Sequence, residues 1–351
     1  MNYLKYDYGL FIGRFQPFHV GHLHNIRYGL LFTQKIIVLI GSSFRAPSIK
    51  NPFSYEERRD MILSDLQASE VALSRIIVEP LSDWFYNEDG WRNEVKLKVN
   101  QHVNLKSKIV IIGHEKDASS YYLRCFPNFK HVSVTKCDAF NATDFRVLLF
   151  NESRLDKNYL INNNKADGTY KTLQRYMMTE KYQALCQDFK YIIQYKPCCE
   201  NTLFKSVFIT TEAMVLCNKH LLLIQRKKAP GKNLWTLPGR FLDPDGRIID
   251  GILRELEEKM AVVILSSELS QTFMAQEFFD HPDRSSHGRL ITYLNLFLLE
   301  RNSLPGMAIQ NDSKFVKWIK LTDVLENMSH LFMDDHYQII KFMAMKYGFV
   351  T

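Results

Sequence analysis

Cysteine is sparse in this sequence and poorly spaced for chemistry. The six residues Cys125, Cys137, Cys186, Cys198, Cys199 and Cys217 form no Cys-x-x-Cys pair, so zinc binding and thioredoxin-type exchange have no support. No apolar run approaches the roughly 20 residues that span a bilayer. The opening MNYLKYDYGLFIG lacks the layout of a secretory leader. There is no long Lys/Arg run, no repeated basic–aromatic pattern and no internal repeat, which argues against nucleic acid as a partner. The expectation is a reduced, cytoplasmic protein with neither a membrane nor a nucleic-acid partner.

What is present suits two domains. The chain has 351 residues, 46% hydrophobic and 24% charged, enough apolar material for two cores. The net charge of +7 is spread thinly, which fits phosphorylated small molecules or an ordinary solvated surface. Five short apolar runs, at 8–13, 35–41, 75–81, 108–113 and 131–136, alternate with amphipathic stretches. One stretch carries Leu23, Ile26, Leu30 and Leu31, and another carries Trp91, Val95 and Val99. Ser54 and Glu57 resemble a capping box that opens a helix with Arg58, Met61 and Ile62. This βαβ alternation predicts an α/β fold with a doubly wound parallel sheet, ligands lying at the carboxyl ends of its strands. A polar loop with Asn162, Asn163, Asn164 and Gly168 follows, then a helix. A linker at about 190–202 containing Lys196, Pro197, Cys198 and Cys199 separates a domain at 1–195 from one at 203–351. The second domain reads as α+β, with strands in SVFITTEAMVL, HLLLIQR and RLITYLNLFLL, a helix at about 248–260, and another around His336, Ile339 and Phe342.

The strongest local pattern is Gly13-Arg14-Phe15-Gln16-Pro17-Phe18-His19-Val20-Gly21-His22, directly after the first strand. Gly13 permits a sharp turn, Pro17 stiffens the loop, and Gly21 lets backbone approach a ligand at a helix start. A helix start offers free amides and a partial positive charge, which suits phosphate. His19 and His22, three apart, can face one anion. A helix-capping role is the alternative for either histidine alone.

This His-x-Gly-His pattern resembles the nucleotidyltransferase superfamily, most nearly the archaeal-type nicotinamide mononucleotide adenylyltransferases, with a Rossmann-like sheet. The resemblance implies that Arg14, His19 and His22 bind the ATP phosphates, with Gly13, Phe15, Gly21 and Gly113 around them. Ser48-Ile49-Lys50-Asn51-Pro52-Phe53 resembles the family's basic loop, which places Lys50 on phosphate and Asn51 by the mononucleotide. Asn141-Ala142-Thr143-Asp144-Phe145-Arg146 resembles its closing motif, in which Thr143 and Arg146 hold phosphate. Trp91 resembles the aromatic residue that stacks on nicotinamide, although a tryptophan at helical spacing also suits a core. The segment 113–122 resembles one found when this enzyme is fused to a second domain. The partners implied are ATP, nicotinamide mononucleotide and NAD. No Ser, Cys or Lys is arranged as an activated nucleophile. The acceptor's own phosphate then attacks ATP, and the protein aligns two anions and neutralises charge, with Mg²⁺ as the implied ion and Mn²⁺ as its substitute.

Leu237-Pro238-Gly239-Arg240, followed by Arg254-Glu255-Leu256-Glu257-Glu258, resembles the Nudix hydrolase box. Its helix is expected to bury Ile249, Leu253, Leu256 and Met260. The resemblance makes Glu255 and Glu258 metal ligands, with Glu255 also catalytic. Four positions depart: Arg240 stands at the first box glycine, Gly246 at the first glutamate, Lys259 at the last metal-binding glutamate and Ala261 at the last glycine. Arg284, Ser285 and Arg289, in the segment from Phe279 to Thr292, resemble the ADP-ribose contacts of pyrophosphatases fused to this transferase. Two readings of the second domain stay open: an ADP-ribose hydrolase, or a dinucleotide-sensing or subunit-joining module compatible with a homo-oligomer. For the first domain, transfer to another acceptor is the rival reading.

Overall fold

The computed structural model describes residues 5–113, 123, 125–134, 142–151, 167–200, 206–260, 269, 271–306 and 315–350. The chain forms two compact units, Met1–Cys186 and Gln187–Thr351. The expected linker is helical through Glu200. The segment 114–122 and the stretch with Asn162, Asn163 and Asn164 lie outside the described residues.

In the first unit β1 (Tyr6–Gly13), β2 (Thr33–Ile40), β3 (Ile76–Pro80), β4 (Ile109–Gly113) and β5 (Lys130–Ser133) form one sheet of order β3-β2-β1-β4-β5. Every neighbouring pair is parallel. The five apolar runs are these five strands. In β2, Ile36 through Ile40 are all fully buried, the pattern of a strand covered on both faces. The chain leaves β1 for β2 on one side and returns to β4 on the other, which opens a crevice at the carboxyl ends beside β1.

The helices begin where the sequence signals them. His19 caps α1 (Val20–Gly29), its side chain accepting from the Gly21 amide. Ser54 and Glu57 form the full capping box of α2 (Tyr55–Ala68). The Asn87 side chain caps α3 (Glu88–Asn100) through the Gly90 amide, and Val95 and Val99 enter the core. After β5 come α4 (Ala142–Phe150), α5 (Asp167–Met177) and α6 (Glu180–Glu200). Buried Asp65 of α2 accepts from the Gly168 and Thr169 amides at the start of α5.

In the second unit β10 (Phe273–Phe279), β11 (Arg289–Leu299), β6 (Val207–Cys217), β7 (His220–Gln225) and β12 (Phe315–Lys320) lie in that order. Short strands β8 (Trp235–Thr236) and β9 (Gly239–Phe241) pair with β7 and β6. The sheet is mixed: β6 and β11 run parallel and the other pairs antiparallel. The helix α7 (Ile248–Met260) packs Ile252 and Leu256 into a core with Ala213, Val215 and Trp318, while Ile249 and Leu253 are half-buried. Ile252, absent from the expected apolar set, is its most buried member; the side chain of Met260 lies outside the described residues. Helices α8 (Leu321–Asn327) and α9 (His336–Lys346) follow β12.

Candidate functional site

In the first unit the loop after β1 is the hub. Its Gly13 carbonyl accepts from the Gly41 amide at the end of β2, at 2.9 Å. The Gln16 side chain bonds both backbone groups of Phe53, each at 3.0 Å, which ties the Ser48–Phe53 loop to the hub. Arg146 of α4 donates Nη1 to the Gln16 carbonyl at 2.7 Å and Nη2 to Thr143 Oγ1 at 3.2 Å. Elements distant in sequence thus meet at one sheet edge.

His19 Nδ1 accepts from the Gly21 amide at 3.1 Å. That nitrogen is therefore unprotonated, and Nε2 carries the hydrogen available to an anion. The His19 and His22 rings lie 3.7 Å apart, and His22 is stacked on Phe18 and edged by Phe15. The capping role and the paired placement of the histidines therefore coexist.

Positive charge gathers here. Arg14 is exposed. Burial, with the Arg14 charge adding to it, lowers the Arg146 guanidinium to about 10. Arg58 is fully buried and likewise lowered to about 10, chiefly by burial, while the charges of Asp83, Glu56 and Glu57 oppose the shift. Among the described residues no carboxylate forms an ion pair with Arg14, Arg58 or Arg146. Three guanidiniums without an ion pair among the described residues, at the carboxyl end of a parallel sheet, could hold an anion.

Lys50 is half-buried in the same loop as Asn51. Asn51 closes a turn with Ser48 through two backbone bonds, and its Oδ1 is buried without a hydrogen-bond partner among the described residues. Gly113 ends β4, next to β1. Two of the expected site residues also serve packing. The Phe15 ring is 1% exposed and packs on Phe11, Phe18 and His22, so it supports His22 and only its backbone remains for a ligand. Trp91 is half-buried on a core cluster, with Phe126 5.9 Å away, so part of its ring serves packing. Sequence reading gave no role to Gln16 or Arg58. The available signal was Arg58 itself, a cation at helical spacing with Met61 and Ile62 on a buried face.

In the second unit Glu255 is fully buried. An ionised carboxylate there requires a partner or a cation. The Glu258 and Lys259 side chains lie outside the described residues. Among the described residues no group of three His, Cys, Asp or Glu side chains is arranged to hold a metal ion. Arg240 pairs with Asp243 at 3.2 Å. Arg284, expected as an ADP-ribose contact, is held here by an internal set of partners. It is 3% exposed, grips Asp335 with Nε at 3.0 Å and Nη2 at 3.1 Å, and also bonds Thr292 and the Phe279 carbonyl. Ser285 is buried against His287, and Arg289 pairs with Asp280 at 3.5 Å. A further pair went unnoticed in the sequence: His336 Nδ1 lies 3.3 Å from Glu212 Oε2. Burial alone would lower this imidazole, but the adjacent Glu212 carboxylate prevails and holds it above its ordinary value.

Comparison with known proteins agrees with this division. Residues 10–119 match the cytidylyltransferase-like model and residues 209–341 the NUDIX domain model. A nicotinamide/nicotinic acid mononucleotide adenylyltransferase of Acinetobacter baylyi is 36% identical over 53% of this chain and 95% of its own length. Two crystal structures of a bifunctional NMN adenylyltransferase/ADP ribose pyrophosphatase of Francisella tularensis are similar over 97% of this chain and 99% of theirs. One has 43% identity and a TM-score of 0.91. The other, complexed with AMP and a Mn ion, has 41% and 0.90.

Proposed function

Because the chain belongs to the family of nicotinamide mononucleotide adenylyltransferases that carry a Nudix domain, we propose that its first unit joins ATP to nicotinamide mononucleotide, giving NAD and pyrophosphate. The observation that carries this reading is the loop after β1, which bears Arg14 and the His19–His22 pair and whose Arg14 and Gln16 carbonyls receive the guanidiniums of Arg58 and Arg146. A phosphate oxygen of the mononucleotide attacks the α-phosphorus of ATP. The bond from that phosphorus to the bridging oxygen breaks, and pyrophosphate leaves with the electron pair. Arg14, Arg146, Lys50 and the histidine Nε2–H groups face the charge that grows on the leaving group, while Thr143, Gly13, Gly21 and Gly113 shape the cradle. Mg²⁺, or Mn²⁺, arrives with ATP as part of the substrate. Trp91 and Asn51 receive the mononucleotide. Trp91→Ala weakens mononucleotide binding by about 1 to 2 kcal/mol, with ATP affinity unchanged. The test is the purified chain with ATP and a panel of mononucleotides, nicotinic acid mononucleotide included, with products identified by mass. Transfer to a different acceptor, or none, overturns the reading.

For the second unit the reading is a Nudix domain whose hydrolysis of ADP-ribose is weak or lost. Arg240, Gly246 and Lys259 replace two acidic groups and a glycine of the box. Asp243, the nearest acidic substitute, is engaged by Arg240. Glu255 and Glu258 stay as the remaining metal-binding carboxylates, and Ser285 and Arg289 as ADP-ribose contacts. Lys259→Glu raises AMP release from ADP-ribose at saturating Mg²⁺ or Mn²⁺; robust wild-type hydrolysis unchanged by the substitution refutes this reading.

A further inference from the structure

Arg58 spends its side chain on four carbonyls. Nε donates to Ser54 at 3.0 Å, Nη1 to Arg14 at 2.7 Å and Gly41 at 2.6 Å, and Nη2 to Ser42 at 3.2 Å. Arg14 follows β1, Gly41 and Ser42 follow β2, and Ser54 caps α2, so one guanidinium joins three segments at the carboxyl edge of the sheet. Ser42 holds φ at 53°, a left-handed conformation that persists in a non-glycine residue only when its surroundings enforce it. Its carbonyl is held by Arg58 and its Oγ donates to Asp83 at 3.0 Å. A cation buried without an ion pair is an expensive way to tie loops together. Its charge is useful where an anion must be bound a few ångströms beyond the loops it holds. Lysine keeps that charge but not the planar fork.

We infer that Arg58 is the positioning residue of the triphosphate site: it sets the Arg14 and Gly41–Ser42 loops for phosphate and stands behind them as a fixed positive charge. This rests on the reading that the site takes the triphosphate of ATP. The test uses the full chain with Arg58→Lys and Arg58→Gln, and Ser54→Ala as a variant that weakens α2 but leaves the fork. The expected result for both Arg58 variants is a fall in kcat per folded molecule on the order of 100-fold. The KM values for ATP and, in the reverse direction, for pyrophosphate rise together, while the KM for mononucleotide stays put. Ser54→Ala loses thermal stability with its constants intact. A loss of activity that only tracks the folded fraction, with both phosphate KM values unchanged, makes Arg58 merely structural and overturns the inference. If neither Arg58 variant folds, hydrogen exchange in the wild-type chain decides. Pyrophosphate slows the amides of residues 14–16 and 41–43 together, and absence of that joint protection overturns the inference. If the wild-type chain forms no NAD, the proposed function fails separately, and ATP affinity by direct titration of Arg58→Lys still judges Arg58.

Discussion

At the scale of single residues, the same side-chain type does opposite work in the two units. Arg146 lies at a helix start with one hydrogen-bond partner in the hub loop, and no carboxylate among the described residues spends its charge. Arg284 is locked on Asp335 with both partners almost wholly buried. The motif around each arginine resembled a ligand contact, and only the partner set separates them. Two outcomes follow. His22→Ala removes a ring stacked on Phe18 and packed against Phe15 and His19 in the proposed phosphate site. Steady-state kinetics show NAD formation falling by a factor equivalent to about 3 kcal/mol in the transition state, with the circular dichroism spectrum kept. Arg284→Ala strands a buried Asp335 carboxylate, so denaturant titration shows the second unit losing about 3 to 5 kcal/mol. If Arg284 instead served ADP-ribose, the variant would stay stable and lose only affinity.

At the scale of elements, the helix starts were legible because their signals are local. The capping box needs only Ser54 and Glu57, three residues apart, and both of its bonds form, at 3.2 and 2.6 Å. Ser54→Ala costs about 1 kcal/mol, read as a lower melting temperature of the first unit. The five strands were legible because a strand buried on both faces must be apolar throughout. Less legible was the stretch around Pro197, where composition suggested a linker and the backbone is helical to Glu200. Gly168 is the counterpart: composition placed it in a polar loop, yet it lies in α5, where an added Cβ would stand 2.3 Å from Ser64 Cβ and 3.0 Å from the Asp65 amide. Gly168→Ala therefore destabilises the α2–α5 contact by about 1 to 3 kcal/mol, measurable by thermal unfolding.

At the scale of each whole unit, buried charge links stability to pH. Glu212 raises the folded His336 above its unfolded value near 6.5. The pair's contribution is therefore fully present below pH 6.5 and is lost as pH rises through the higher folded value. The stability difference between wild type and His336→Gln in the second unit shrinks over that rise; a difference growing with pH contradicts the pairing. What the sequence by itself determined was the five-strand order of the first unit, the presence of two domains and the Gly13–His22 loop after β1, because period, caps and loop chemistry act over a few neighbouring residues. Only the tertiary structure decided that Arg58 bridges Ser54 to Arg14, Gly41 and Ser42, that Gln16 joins Phe53 and Arg146, and that Arg284 belongs to Asp335. Apart from the Ser54 contact, these bonds connect positions 16 to 130 residues apart. Whether an arginine meets a carboxylate, a carbonyl or open solvent depends on which segments the sheet brings together, and no local pattern encodes that choice.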